Sequence, residues 1–319
     1  MKKFLLYMMV LSFSILILSG CLAQKESSSS ENNLVTMYTS IYPLYDFAQK
    51  IGQDKVELHL IVPPGSEPHD WEPTAKLMGQ MEKADILVYN GLGMESWAEK
   101  VIGSINHSNL IVINASENIE PLKSDKNGHE DEFELKDEDE HEHDHILDPH
   151  VWLDPINAIT QAENIKNALV KVDSANKEFY ESNFEELKNR LQELDEEYRT
   201  ELSKLPRKEI VVSHAAFGYL AKRYGLKQLS ISGLSPQAEP TPSQMAEISD
   251  FIKEHKIQYI FFETLTNPKL AEVIAKETGV KSLVLNPLGG LTQKEIEEGK
   301  DYFSVMEENL DALIVALGE

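Results

Sequence analysis

One order of elements occurs twice along the chain, and it narrows the fold more than any other feature. From Leu34 onward, short apolar runs at Leu34–Tyr38, Val56–Val62, Ile86–Tyr89 and Leu110–Ile113 read as strands, with helical stretches around Tyr45–Ile51, Thr74–Lys83 and Glu95–Ser104 between them. After Pro206 the same grammar returns. Strands are expected at Ile210–Ser213, Gln228–Ile231, Ile257–Phe262 and Ser282–Leu285, and helices at Ala215–Tyr224, Pro242–His255, Pro268–Thr278 and Gln293–Leu317. Strands that alternate with helices predict mostly parallel sheets with helices on both faces, because parallel neighbours need a crossover. Between the two series, Phe184, Leu187, Leu191, Leu194, Tyr198, Leu202 and Leu205 recur in steps of three and four, which is one stripe of a helix over Asn176–Leu205 that Pro206 stops. The expected fold class is α/β, with two lobes, each a mostly parallel sheet flanked by helices, joined by one long helix.

The N-terminus is a different kind of segment. Lys2 and Lys3 precede a largely apolar run from Phe4 to Leu18, and small residues lead into Cys21. This is the pattern of an export signal, shorter than the roughly twenty apolar residues of a permanent span. Leu18-Ser19-Gly20-Cys21 resembles the bacterial lipobox, in which the cysteine is lipidated and becomes the new N-terminus. Cys21 is the only cysteine of the chain, so no internal disulfide can form. The polar stretch Ala23–Asn33 suits a flexible tether, and the expected location is the extracytoplasmic face of the cell membrane. A plain secretory signal with an incidental thiol is the alternative. The chain thus divides into a signal peptide (1–20), a lipidated N-terminus and tether (21–33), a first lobe with a mobile His/Asp/Glu-rich loop at 123–147 (34–155), a helical segment with the linker helix (156–206) and a second lobe (207–319).

Charge excludes one class of partner. With 30 Lys+Arg against 54 Asp+Glu the net charge is −24, which argues against nucleic acid. The acid is unevenly spread. His129 to His145 holds ten carboxylates, four histidines and one lysine, and so supplies −9 of the total. With only Phe133 and Leu135 apolar, this stretch cannot bury enough surface to order itself. His129, His141, His143 and His145 among carboxylates could gather metal at low affinity beside a cleft; the bland alternative is a solvated acidic loop.

Crevices in open α/β sheets form at the carboxyl ends of strands. Those ends carry His69 in the loop after Val56–Val62, His214 after Ile210–Ser213 and Glu263 after Ile257–Phe262, while His150 lies in the segment between the lobes. Three imidazoles favour Zn²⁺ over the more oxygen-seeking Mn²⁺. Asp70, Asp148 and Asp154 are candidate acceptors for the second ring nitrogens. Trp71, Trp152 and Phe217 are expected to pack around the cleft, and His59, His107 and His255 to serve local roles.

The phrases PGSEPHDWEPT, DPHVWLDP, SHAAFGYLAKRYGL, GLSPQAEPTP and IFFETLTNPKLAEVIAKETGVKSLVLNPL closely resemble the zinc-specific solute-binding lipoproteins of ABC-type metal importers, the cluster A-I proteins. The resemblance spans essentially the whole mature chain. It implies a single metal site between two lobes, Zn²⁺ as transported ligand, a membrane permease with its ATPase as partners, no catalytic residues, and a monomer. It assigns the three ligand histidines to His69, His150 and His214. Several relatives place a glutamate as fourth ligand where this chain has Gly289, so a water, Glu263 or Glu67 must complete the site, and water is favoured. The alternatives are Mn²⁺ or Fe²⁺ as cargo, a zinc hydrolase, for which no GxSxG signature is present, and a surface adhesin.

Overall fold

The computed structural model describes residues 34–105, 109–124, 146–237, 240–266 and 269–318. The leader, Cys21, the tether, and the acidic stretch with His129, His141, His143 and His145 lie outside the described residues. The apolar runs form strands as expected, shifted by a residue or two at their ends: β1 (Val35–Thr39), β2 (Val56–Leu60), β3 (Ile86–Tyr89) and β4 (Ile111–Asn114) in one sheet, and β7 (Glu209–His214), β8 (Lys227–Ser232), β9 (Tyr259–Phe262) and β10 (Lys281–Val284) in another. Their spatial orders are β2-β1-β3-β4 and β10-β9-β7-β8, and every pairing within both sheets is parallel. Each sheet therefore has the same topology, with its first strand flanked by its second and third. The place where strand order reverses lies between β1 and β3 in one and between β7 and β9 in the other, which is where a doubly wound sheet opens a crevice. A two-stranded ribbon, β5 (Lys123–Ser124) antiparallel to β6 (Ile146–Leu147), precedes the segment carrying His150.

The helices of the first half are α1 (Tyr42–Gly52), α2 (Ala75–Met81) and α3 (Ala98–Ser104). Between the halves run α4 (Pro155–Val172) and, after a short turn, the expected long helix, α5 (Lys177–Ser203). The expected stripe is the buried face of α5, with Phe184, Leu187, Leu191, Leu194, Tyr198 and Leu202 all buried and Tyr180 added at its start. Its 27 residues give a rod of about 40 Å at 1.5 Å per residue. Asn183 on α5 donates to the carbonyl of Ile51 (2.9 Å) and Tyr198 to that of Met306 (2.5 Å), so the rod is bonded to both halves.

The second half contains α6 (Gly218–Tyr224), α7 (Pro242–Glu254), α8 (Lys269–Thr278), α9 (Gln293–Glu297) and α10 (Tyr302–Gly318). The single helix expected over Gln293–Leu317 is broken in two because Gly299 takes a left-handed φ of 77°, and the N–H groups of Gly299 and Lys300 turn back onto Ile296 and Glu295. Helix α6 starts later than expected, at Gly218, because the Ala215 N–H still bonds to the carbonyl of Gly233 (3.0 Å) and prolongs the β7–β8 pairing. One buried apolar cluster runs from Met37 and Phe47 in the first half through Leu191 to Phe217 and Tyr302 in the second. The halves thus share a core within one compact unit from Leu34 onward. No helix among the described residues is long and apolar enough to cross a membrane.

Candidate metal centre

Each of the three histidines is fixed by its backbone before its ring is considered. His69 lies in a short 3₁₀ turn, Pro68–Asp70, capped by Glu67, whose carboxylate accepts from the His69 N–H at 3.2 Å. The loop before it is tied to the second half by the N–H of Gly65 on the carbonyl of Leu291, 2.9 Å. His150 follows Pro149, whose carbonyl accepts from Asn90 Nδ2 at 2.9 Å. His214 is the last residue of β7, paired in register with Ser232 of β8.

The rings converge. Nε2 of His150 lies 3.1 Å from Nε2 of His69 and 3.3 Å from Nε2 of His214, and one ligand atom from each of the three falls within 4.8 Å of the others. Imidazole nitrogens about 2.0–2.1 Å from a tetrahedral zinc lie about 3.3 Å apart, so the spacing fits one ion. His150 and His214 are each 1% exposed, whereas His69 is half-buried on the open side.

The far nitrogens decide which lone pairs face inward. Nδ1 of His150 is 2.8 Å from Oδ1 of Asp148, which also accepts the His150 N–H at 2.9 Å. Nδ1 of His214 is 2.6 Å from Oε1 of Glu263, which accepts the His214 N–H at 3.1 Å. Assigned by this network, both Nδ1 atoms carry the proton, which leaves both Nε2 atoms as acceptors aimed at each other. Two lone pairs 3.3 Å apart repel unless a cation sits between them. Burial, then the neighbouring imidazoles, holds His69 well below the ordinary histidine range, and burial does the same to His150. At His214 burial also pulls down, but the Glu263 carboxylate outweighs it and raises the ring. Burial pushes Asp148 up to about 7.

Glu263, the expected protein candidate for a fourth ligand, sits on the ring nitrogen of His214 that faces away from the trio; its second oxygen has no hydrogen-bond partner among the described residues. Glu67 shares the cleft with the trio, and burial raises its carboxyl. Asp148 takes the orienting place expected of it, but Asp154 does not: its carboxylate caps α4 through the N–H of Ile156 (2.8 Å) and pairs with Arg223 (3.1 Å). Trp152 closes the cleft wall with its indole N–H on the carbonyl of Pro287. Met94, Leu265, Asn286 and Gly289 line the same cleft, and none of its described lining residues is Lys or Arg. A side chain at Gly289 would bring its Cβ to 3.1 Å from Pro68 Cγ.

Asn90 was missed by the sequence reading. It stands one residue past β3, at the point where the first sheet's order reverses, and it holds the peptide before His150. Its own N–H and that of Gly91 are gripped by Glu95 (2.7 and 3.0 Å), and Gln161 donates to its side-chain oxygen at 2.9 Å. Gly91 allows this with a φ of 86°. Strand-end position plus the Asn90-Gly91 turn was the available signal.

The family model described as "Zinc-uptake complex component A periplasmic" (ZnuA) matches residues 37–316. The chain is 41% identical over 308 residues to the high-affinity zinc uptake system protein ZnuA of Bacillus subtilis (strain 168), covering 97% of this chain and 95% of that protein. It is 39% identical to the zinc-binding lipoprotein AdcA of Streptococcus pneumoniae, covering 98% of this chain but only 60% of that longer protein. The crystal structure of the Zn(II)-bound ZnuA-like domain of AdcA superposes with a TM-score of 0.75 at 37% identity, covering 90% of this chain and 100% of the domain. The laminin-binding protein Lmb of Streptococcus agalactiae, described as bifunctional with adhesin and metal transporting activity, superposes at 0.76 and 34% identity, covering 89% and 99%. With residues 37–316 matched, this chain belongs to the ZnuA family of zinc-uptake components.

Proposed function

We propose that this chain is the extracytoplasmic zinc-binding component of an ABC importer: it captures Zn²⁺ on the Nε2 atoms of His69, His150 and His214 and hands it to a membrane permease driven by an ATPase. The observation that carries this reading is the pair of inward lone pairs, each set by a buried carboxylate on the opposite ring nitrogen. Asp148 and Glu263 orient ligands and strengthen them as donors; a water completes the tetrahedron. Zinc is transported, not used, so the chain acts as a carrier and not as an enzyme. It works as a monomer, held to the membrane through lipidated Cys21 and the tether of residues 21–33. The domain division at 34–155, 156–206 and 207–319 is proposed with it, and His129, His141, His143 and His145 belong to an insert that collects zinc at low affinity near the cleft.

Calorimetric titration tests the site. Alanine at His69, His150 or His214 is expected to weaken zinc by several orders of magnitude, and Glu263→Ala by about 10–100-fold, the usual cost of an outer-shell partner. Glu263→Ala as damaging as His150→Ala would make Glu263 a ligand, and Mn²⁺ outcompeting Zn²⁺ would change the cargo. Deleting residues 129–145 should leave tight binding intact and slow uptake from zinc-poor medium. The likeness to Lmb favours surface attachment as a second role, which binding of the full chain to immobilised laminin would test.

A further inference from the structure

Tyr219 sits on α6, five residues past His214, yet its phenol is bonded to the segment that leads to His150. Its O–H donates to the carbonyl of Asp148 at 2.9 Å and accepts the N–H of Leu122 at 2.9 Å. The N–H of Asp148 in turn donates to the carbonyl of Leu122 at 3.0 Å, and the ladder continues outward through the pairing of Lys123 with Leu147. The Asp148 peptide is thereby held at both its N–H and its C=O. Its side chain is then the only part free to aim, and it is spent on the N–H and Nδ1 of His150.

We propose that Tyr219 is a positioning residue for zinc capture: through Asp148 it locks the ring of His150, from the segment joining the halves, to the helix that follows His214. The inference rests on the zinc-site reading. The ring is 4% exposed, so a phenylalanine would fill the space and remove only the oxygen, leaving the Leu122 N–H and the Asp148 carbonyl each short of a partner. A loosened Asp148 lets the His150 ring swing, and a ligand displaced by a fraction of an ångström is felt in affinity and in the metal's ligand field. A purely packing role would be felt in neither.

The test compares the full chain with its Tyr219→Phe variant, each loaded with one equivalent of Zn²⁺ or of Co²⁺ as a visible stand-in. The expected result is zinc affinity lower by about tenfold, the low end for an outer-shell partner, with an altered Co²⁺ absorption band. In an Asp148→Asn background the same substitution should add less than about twofold, because the two act through one ring, whereas in a Glu263→Ala background it should add in full. Unchanged affinity and an unchanged Co²⁺ band in Tyr219→Phe, even with lowered thermal stability, would overturn the proposal. So would full additivity with Asp148→Asn. A wild-type chain that bound neither ion would overturn the zinc-site reading, and this inference with it.

Discussion

At His214 the metal and the proton compete for one nitrogen. Burial lowers the affinity of His69 and His150 for protons, while at His214 the Glu263 carboxylate overrides burial and raises it. Of the three rings His214 is therefore the one that holds on to a proton to the highest pH, while burial pushes the neighbouring Asp148 carboxyl up to about 7. Zinc must displace any proton on the ring nitrogens, so binding should release protons, and affinity should fall as pH drops, first through His214, which is raised above the ordinary value near 6.5. For the metal-free fold, the raised value of His214 contributes stability that is present below the unfolded value near 6.5 and lost as pH rises through the higher folded one. Glu263→Gln removes the pull on His214, and proton release on zinc binding near neutral pH should fall. Calorimetry in buffers of differing ionisation enthalpy reads this directly; unchanged release would contradict the assignment. The three histidines were legible from the loops after two strands (His69, His214), from the segment between the lobes (His150), and from the family phrases that carry all three. Asn90 and Tyr219 were not, since each acts on a backbone carbonyl 59 or 71 residues away, with no side-chain pattern to announce it.

At the scale of elements, the long helix α5 was legible from its stripe of large apolar residues. Its neighbour α4 was not singled out because it buries Ala158, Ala162, Ala168 and Gln161 among larger residues, a face too small to stand out. Where α4, α5 and α6 meet, Arg223 bridges Asp154 at the start of α4 and Asp195 on α5, reaching Asp195 through Nε at 2.5 Å and a second nitrogen at 2.8 Å. Burial pushes the Asp195 carboxyl up, but hydrogen bonds from Arg223, Arg199 and Tyr224 outweigh it and hold it below the ordinary value. Asp195→Asn should cost about 1–3 kcal/mol at pH 7, the range for a buried charged partner lost. Because a depressed carboxyl contributes stability above its unfolded value and loses it as pH falls through its folded one, the gap between variant and wild type should narrow below about pH 4. Urea unfolding at both pH values checks it; a gap that widened in acid would refute the pairing.

The whole molecule is two copies of one sheet topology closed over a shared core. The alternation in the sequence was enough to read the sheets, but not the continuity of the core between them, in which Leu191 of α5 belongs to one buried cluster with Phe47 of the first half and Tyr302 of the second. That continuity, and the bonds of α5 to Ile51 and Met306, allow modest rocking and oppose a wide hinge. Ligands from both halves mean that zinc bridges them, so free zinc at 100 times its dissociation constant should add about 2.7 kcal/mol of stability. A thermal shift absent in wild type, or retained in His150→Ala, would argue against a bridging site. The central claim is the three-imidazole zinc site, and the X-ray absorption spectrum of the full chain loaded with one equivalent of Zn²⁺ tests it most directly. Three imidazole nitrogens and one oxygen at about 2.0–2.1 Å are predicted; a first shell with fewer than three imidazoles would contradict it.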